Sequence, residues 1–237
     1  MAEIGKKSEN TECVKEREII CEVVEKTVFK ENPDQLSKKR ADDIVQRRIE
    51  KRVENLQGKM SNEKFYSFGW KRLEGKKDLT IDLKEVNPHY SEGKQWKVNC
   101  QRCVPAYEMR KRGYNVTVLP KPLDPGITDL SYKPFDVWVK PKIINCVENG
   151  KADIEKHMSE WGEGSRAQIV ITWKGTNSGH TFVAENKNGS VRYYDPQTGC
   201  EDVSFYFHNV QPGKTQICRI DNLDVTAKIE ECCRGVW

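Results

Sequence analysis

The pattern of apolar and polar positions separates the chain into two parts with different periods. In residues 1–75, apolar side chains recur at helical spacing, as in Ile20, Val24 and Val28. Lys, Arg and Glu surround these apolar stripes. A mixed-charge pattern of this kind is typical of a solvated helical pair or a coiled-coil arm. We therefore expect a charged helical extension at the N-terminus.

The second part, residues 95–237, has the pattern of a folded domain, and residues 76–94 are rich in Lys and turn-forming residues, which predicts a connector. Helical spacing in the second part predicts helices, and period-two alternation predicts strands. The predicted helices are Cys103–Arg112 and Ala152–Trp161, and the predicted strands are Tyr114–Leu119, Gln168–Trp173, Thr181–Glu185, Val191–Tyr194, Val203–Phe207 and Thr215–Ile220. A helix followed by an antiparallel set of strands indicates the α+β class.

Two local signals refine these elements. Asn188-Gly189, between two of the predicted strands, is a strong signal for a tight β-hairpin. Pro105 is compatible with the first predicted helix because a helix that begins at Cys103 places this proline in its first turn, where a backbone N–H has no helical partner.

Three short motifs carry candidate chemistry: the pair Cys100 and Cys103 after Asn99, at the start of a predicted helix, then His180 before a strand and Asp195 after the partner strand. A helix N-terminus lowers the pKa of a cysteine and favours the nucleophilic thiolate. A histidine within reach would act as base and then as acid, and an aspartate would orient it. Because His180 and Asp195 lie on the two arms of the predicted hairpin, we expect them side by side.

Other interpretations of the same residues stay open. A lone His before a strand is most often a surface or capping residue, and Asp-Pro followed by Gly is usually a turn. The pair Cys100 and Cys103 is compatible with a zinc half-site completed by Cys232 and Cys233, or with a redox dithiol. Adjacent cysteines are an unusual second half of a zinc site, and the segment upstream lacks the strand expected of a redox motif. We expect neither a metal nor a cofactor.

The run from Asn99 to Val116, with the motifs at His180 and Asp195, resembles the papain-fold toxin family of glutamine deamidases. Bacterial effector deamidases of this family share an Asn-Cys-x-x-Cys helix start, a His that opens a strand and an Asp-x-Gln-Thr-Gly turn. Similar domains occur at the ends of polymorphic toxins and in phage-head-associated proteins. The likeness covers about residues 96–220 and leaves the N-terminal part unmatched.

The resemblance implies a papain-like fold with Cys100 as nucleophile, His180 as base and Asp195 as the residue that orients the base. On the residues alone, the position of the proline slightly favours Cys103, which therefore stays an alternative nucleophile, a packing residue or a disulfide partner of Cys100. Two further residues have supporting roles: Gln197, in the same turn as Asp195, and Asn99, which precedes the first cysteine.

The implied activity is conversion of a target Gln side chain into Glu through a Cys thioester, in a toxin or effector domain. Its partners would be a protein substrate with a reactive Gln and, as in toxin-like relatives, an immunity protein. The same triad would serve a papain-like peptidase or a transglutaminase-type acyltransferase. A binding or assembly module with a degenerate site is the non-enzymatic alternative, although all three catalytic residue types are present in order.

Charge and composition limit the binding partners and the cellular location that we expect. A net charge of +4, from 40 basic and 36 acidic side chains, is too balanced to indicate nucleic acid or a membrane surface. No apolar run approaches the roughly 20 residues that span a bilayer. The first residues lack the apolar stretch of a secretory signal, and nine cysteines form a poor disulfide framework. We expect a cytoplasmic protein in the producer, delivered to a target cell by a carrier or a secretion apparatus.

Overall fold

The computed structural model describes residues 69–71, 83–123 and 129–236. The helical extension predicted over residues 1–75 lies outside these ranges, apart from residues 69–71, as does the first part of the predicted connector. Within the described ranges, no helix combines the length and apolar character needed to cross a membrane.

The described elements alternate between short helices and strands. Helix α1 spans Lys94–Lys97, α2 spans Cys100–Lys111 and α3 spans Lys151–Trp161. The strands are β1 (Val116–Val118), β2 (Ile144–Cys146), β3 (Arg166–Trp173), β4 (Gly179–Lys187), β5 (Ser190–Tyr194), β6 (Val210–Arg219) and β7 (Cys233–Gly235), and the 3₁₀ helices are Leu83–Glu85, Tyr90–Glu92, Ser204–Asn209 and Ala227–Glu231. Strands β2 and β7 were not predicted, because three residues are too few to show alternation.

A five-stranded antiparallel sheet in the order β2-β6-β3-β4-β5 forms the centre of the domain. Strand β4 shows how the sheet divides the interior, since Phe182 and Ala184 belong to one apolar cluster and Val183 to another. The first cluster includes Ile154 of α3 and the second includes Met109 of α2. The sheet therefore has apolar packing on both faces, and the predicted α+β class is confirmed.

The hairpin predicted at Asn188-Gly189 joins β4 to β5. Lys187 pairs with Ser190, and both turn residues have positive φ values, 54° for Asn188 and 70° for Gly189. These values match the turn geometry that makes Asn-Gly favourable in a two-residue loop. The hairpin sets the register of β4 against β5 and so brings the start of β4 close to the residues that follow β5.

The start of α2 differs from the prediction. The helix begins at Cys100 because the Asn99 carbonyl accepts the N–H groups of Arg102 and Cys103, at 2.8 and 3.1 Å. Pro105 is therefore inside the helix rather than in its first turn. It is tolerated there although it removes one helical hydrogen bond.

Residues 203–207 were predicted as a strand, and this prediction was wrong. Ser204–Asn209 is a 3₁₀ helix, in which the Ser204 N–H donates to Asp202 Oδ1 at 3.0 Å and the Tyr206 N–H donates to the Val203 carbonyl at 3.0 Å. Apolar residues alternate here, but Phe205 is 55% exposed, so the alternation does not mark a single buried face. In this turn the Tyr206 hydroxyl donates to Asp195 Oδ2 at 2.8 Å.

The described end of the predicted connector packs on the domain. Leu83 and Val86 are buried in the same apolar cluster as Val104 and Met109 of α2. The Val86 carbonyl also accepts the backbone N–H of Val118 in β1, at 2.9 Å. The described end of the connector therefore packs against α2 and β1.

Candidate active site

Cys100 lies at the N-terminus of α2, beside an open cleft of about 460 Å³. The residue is half-buried, so its thiol reaches the cleft while its backbone is held in the helix. Its Sγ lies 3.5 Å from the side-chain oxygen Oε1 of Gln101. The positive end of the helix dipole favours an anion at this position. Cys100 thus has the exposure and the electrostatic setting that a nucleophilic thiolate needs.

His180, the second residue of β4, lies between Cys100 and Asp195. Its Nε2 is 3.1 Å from Asp195 Oδ2, and the residue lines the same cleft as Cys100. Burial disfavours the imidazolium, but the hydrogen bond and charge of Asp195, together with the interaction with Cys100, outweigh it and raise the pKa of His180 to about 10. Since Nε2 is engaged by the carboxylate, Nδ1 is the nitrogen left to exchange a proton with the thiol.

Trp173, at the end of β3, holds one face of the histidine ring. The two rings are nearly parallel, with centroids 6.0 Å apart and an angle of 18° between their planes. Phe182 lies two residues after His180 on the same strand, with its ring centroid 6.2 Å away. Aromatic neighbours on these sides restrict rotation of the imidazole, so its nitrogens stay directed at Cys100 and Asp195.

Asp195 follows β5 and is fully buried. Its Oδ2 accepts hydrogen bonds from His180 and from the hydroxyl of Tyr206, the latter at 2.8 Å, while Oδ1 accepts the backbone N–H of Gln197 at 2.9 Å. Burial would raise the pKa of Asp195, but these hydrogen bonds and the charge of His180 hold it below its ordinary value. The carboxylate is therefore charged at neutral pH and able to stabilise an imidazolium.

Tyr206 is a site residue that the sequence did not reveal. Its hydroxyl shares Asp195 Oδ2 with His180, and its ring meets the imidazole edge to face at 5.6 Å. Burial, followed by the charge of Asp195, raises the pKa of Tyr206, so the hydroxyl remains a donor at neutral pH. No short motif includes this tyrosine, because it reaches the carboxylate through a 3₁₀ turn that was predicted as a strand.

The supporting residues Asn99 and Gln197 form a buried polar cluster behind the site. Asn99 Oδ1 accepts hydrogen bonds from Gln197 Nε2 at 3.3 Å, from Cys103 Sγ at 3.3 Å and, weakly, from Asn87 Nδ2 at 3.5 Å. Asn87 also donates to the Gln197 carbonyl at 2.9 Å. This cluster ties the start of α2 to the turn after Asp195, and Gln197 also lines the cleft, so we expect the cluster to position Cys100 relative to His180.

Cys103 has a different environment from Cys100, although only two residues separate them. Its side chain is completely buried and donates to Asn99. Burial, together with the charges of Cys100, Asp195 and Cys232, raises the pKa of the Cys103 thiol well above its ordinary value. These properties suit a neutral packing thiol. Within the described ranges, the side chains form no group of three or more His, Cys, Asp or Glu arranged to hold a metal ion.

Comparison with known families adds a match over the same segment. Residues 98–200 match the family model described as papain fold toxin 1, glutamine deamidase. The segment runs from just before Cys100 to just after Asp195 and so includes all three motifs. The predicted resemblance and the papain-like fold are thereby confirmed, and the match supports glutamine deamidation as the general activity. No curated protein matches the chain.

Proposed function

Since residues 98–200 match this family, we propose that the protein is a cysteine-dependent protein-glutamine deamidase with Cys100 as its nucleophile. The observation that carries the proposal is that Cys100 and His180 line the same open cleft and that His180 Nε2 lies 3.1 Å from the buried carboxylate of Asp195. The three residues have the relative order and contacts of a nucleophile, a base and the residue that orients the base.

In the proposed reaction, the Cys100 thiolate adds to the carboxamide carbon of a substrate Gln, and the carbonyl oxygen becomes an oxyanion. Backbone N–H groups at the start of α2 stabilise this oxyanion, since the first N–H groups of a helix have no acceptor in the preceding turn. The His180 imidazolium donates its proton to the nitrogen, the C–N bond breaks, and ammonia leaves. The product of this half-reaction is a thioester on Cys100.

The second half-reaction restores the enzyme. Neutral His180 removes a proton from a water molecule, and the resulting hydroxide adds to the thioester carbonyl. The C–S bond then breaks, the Glu product leaves, and the thiolate of Cys100 faces the protonated imidazole again. Asp195 stays ionised throughout and holds the ring in one orientation.

A change from Gln to Glu would alter both the hydrogen bonding and the charge of a target protein. It removes an amide donor and adds a negative charge, so a hydrogen-bonded interface built on that Gln is disabled. This chemistry fits the toxin description of the family, and we extend the proposal to an effector role against a protein target. An immunity protein that occupies the cleft is part of the same proposal.

The test is ammonia release from a Gln-containing peptide by the full chain, with the product read by intact mass. We expect Cys100→Ala to lower the rate at least about 10⁴-fold while the thermal midpoint of unfolding changes little, because the thiol forms the intermediate. Cys103→Ala is the matched control in the same helix, and we expect it to keep most of the activity. Full activity in Cys100→Ala would refute the nucleophile.

The same assay separates the related chemistries. A peptidase would produce shorter peptides, whereas a transglutaminase would join an added primary amine to the Gln side chain. A deamidase leaves the peptide intact and replaces the amide NH₂ with OH. Iodoacetamide labelling supplies an independent readout, since selective alkylation of Cys100 that weakens in His180→Ala would support the nucleophile–base pair.

A further inference from the structure

One wall of the active-site cleft carries two lysines. Lys97 is the last residue of α1 and is exposed, and Lys121 follows β1 and is half-buried. Both line the cleft. The segments that carry them are joined directly, because the Lys121 N–H donates to the Gln95 carbonyl at 3.0 Å. The backbone segments that carry the two positive charges are therefore held together at the cleft.

The acidic groups near this wall already have partners. Asp129 is buried and binds Arg102 at 2.5 Å, and it accepts hydrogen bonds from Ser131. Asp195 is buried and bound to His180. Among the described residues that line the cleft there is no Asp or Glu.

The two lysines lack such partners among the described residues. Neither lysine forms an ion pair within residues 69–71, 83–123 and 129–236. Lys97 lies over the ring of Tyr90, with Nζ 5.8 Å from the centroid, which is a cation–π contact and not an ion pair. The described lining of the cleft thus carries two lysines and no acidic side chain, although Lys121 is close enough to Asp129 to help lower the pKa of that carboxyl.

We propose that the cleft selects a Gln flanked by Asp or Glu in an exposed segment of the substrate protein. This inference rests on the proposed deamidase activity and names its substrate class. Carboxylates on either side of the Gln would lie against Lys97 and Lys121 while the carboxamide reaches Cys100. Opposite charges on the cleft and the substrate speed their association and align them, and repulsion between like charges disfavours basic substrate segments.

The probes are short peptides with one central Gln, blocked by an N-terminal acetyl group and a C-terminal methylamide. The flanking residues are Glu in the first peptide, Ser in the second and Lys in the third. We expect kcat/KM for the Glu peptide to exceed that for the Ser peptide roughly five- to twentyfold at low salt, from two exposed charge pairs. The Lys peptide should be the poorest substrate, and the ratios should fall as added salt screens the charges.

Charge-reversal variants of the lysines show which residues cause the preference for acidic peptides. Lys97→Glu and Lys121→Glu should each lower the ratio of the Glu to the Ser peptide about two- to fivefold, and the double variant should favour the Lys peptide. Lys156→Glu is the matched control, because Lys156 is exposed on α3 and does not line the cleft. We expect this control to leave the ratio and the activity unchanged.

Failure of this inference and failure of the proposed function give different results. Equal turnover of the three peptides, or equal effects of reversal at Lys97, Lys121 and Lys156, would overturn the acidic preference and leave the deamidase intact. Absence of ammonia release from every peptide would overturn the deamidase. In that case, binding of fluorescently labelled versions of the three peptides to Cys100→Ala, measured by anisotropy, still tests the acidic preference. Tighter binding of the Glu peptide would support the preference, and equal binding would refute it.

Discussion

Two fully buried carboxylates lie near the two ends of α2, Asp195 outside the helix and Glu108 within it, and their partners differ. Near the N-terminal end, Asp195 is bound by His180 and Tyr206. Toward the C-terminal end, Glu108 is bound by the Arg112 Nε at 2.8 Å and by the Arg166 Nε and Nη2 at 2.7 and 2.9 Å. Both carboxylates have 0% exposure.

This comparison shows that burial and pairing alone do not identify a catalytic carboxylate. A guanidinium does not release its proton in a protein. Burial alone would lower the pKa of Arg166, but the hydrogen bonds and the charge of Glu108 outweigh burial and raise this pKa further. An imidazole exchanges protons readily, and His180 has the cleft cysteine on its other side. The transferable proton and the open cleft fit the Asp195 end to the proposed reaction, whereas Glu108, toward the other end, forms ion pairs with arginines.

Among the variants that test this comparison, Asp195→Asn is expected to have the largest effect on activity. The amide keeps the shape of the side chain but removes the charge that stabilises the imidazolium, so we expect kcat/KM to fall about 10²- to 10⁴-fold. The alkaline limb of the rate profile should lie near the pKa of His180, about 10, in the wild type, and should move to lower pH in the variant. A pH–rate profile for both proteins measures this, and an unmoved limb would contradict the role of Asp195.

The same pair makes stability depend on pH. The folded pKa of His180, about 10, is above its ordinary value of 6.5, so its contribution is complete below pH 6.5 and is lost as the pH rises through about 10. The folded pKa of Asp195 is below 3.8, so its contribution is present above that pH and is lost in acid. The difference in free energy of unfolding between the wild type and Asp195→Asn should therefore be largest between about pH 4 and 6.5. Denaturant titrations across this range measure it.

At the other end of α2, Glu108→Gln should lower stability rather than chemistry. The substitution leaves two arginines beside a neutral amide, and we expect the free energy of unfolding to fall by about 3 kcal/mol. The kcat of the folded fraction should change little. Glu155→Gln is the matched control, because its ion pair with Lys151 is exposed and worth at most about 0.5 kcal/mol. Loss of kcat in folded Glu108→Gln would contradict a purely structural role.

The smallest effect is expected from Tyr206→Phe. The ring contacts remain, but Asp195 loses one of its two donors at Oδ2. We expect kcat to fall by about tenfold, the lower end of the worth of one hydrogen bond to a charged group. KM should stay nearly constant, because the hydroxyl does not line the cleft. The alkaline limb should stay near its wild-type position, since Asp195 keeps its charge, and a large shift of this limb to lower pH would show that Tyr206 does more than position the carboxylate.

Much of the site was predictable because its signals are local. The helix that carries Cys100, the strand that carries His180 and the Asn188-Gly189 turn each depend on a few neighbouring residues. Once the hairpin is predicted, the proximity of His180 and Asp195 follows from the pairing of its arms. Sequence alone therefore determined the α+β class and the candidates His180 and Asp195, and it left the nucleophile open between Cys100 and Cys103.

Tertiary packing decided what the local signals left open. Both cysteines follow Asn99 closely, and only the fold shows that Cys100 faces the cleft while Cys103 is buried. Tyr206 joins the site through a 3₁₀ turn whose apolar alternation predicted a strand. Lys97 and Lys121 come to the same cleft from segments that are distant in sequence, α1 and the residues after β1, which are joined by a backbone hydrogen bond. Burial, charge compensation and contacts between distant segments depend on the whole folded chain, so no local window of sequence contains them.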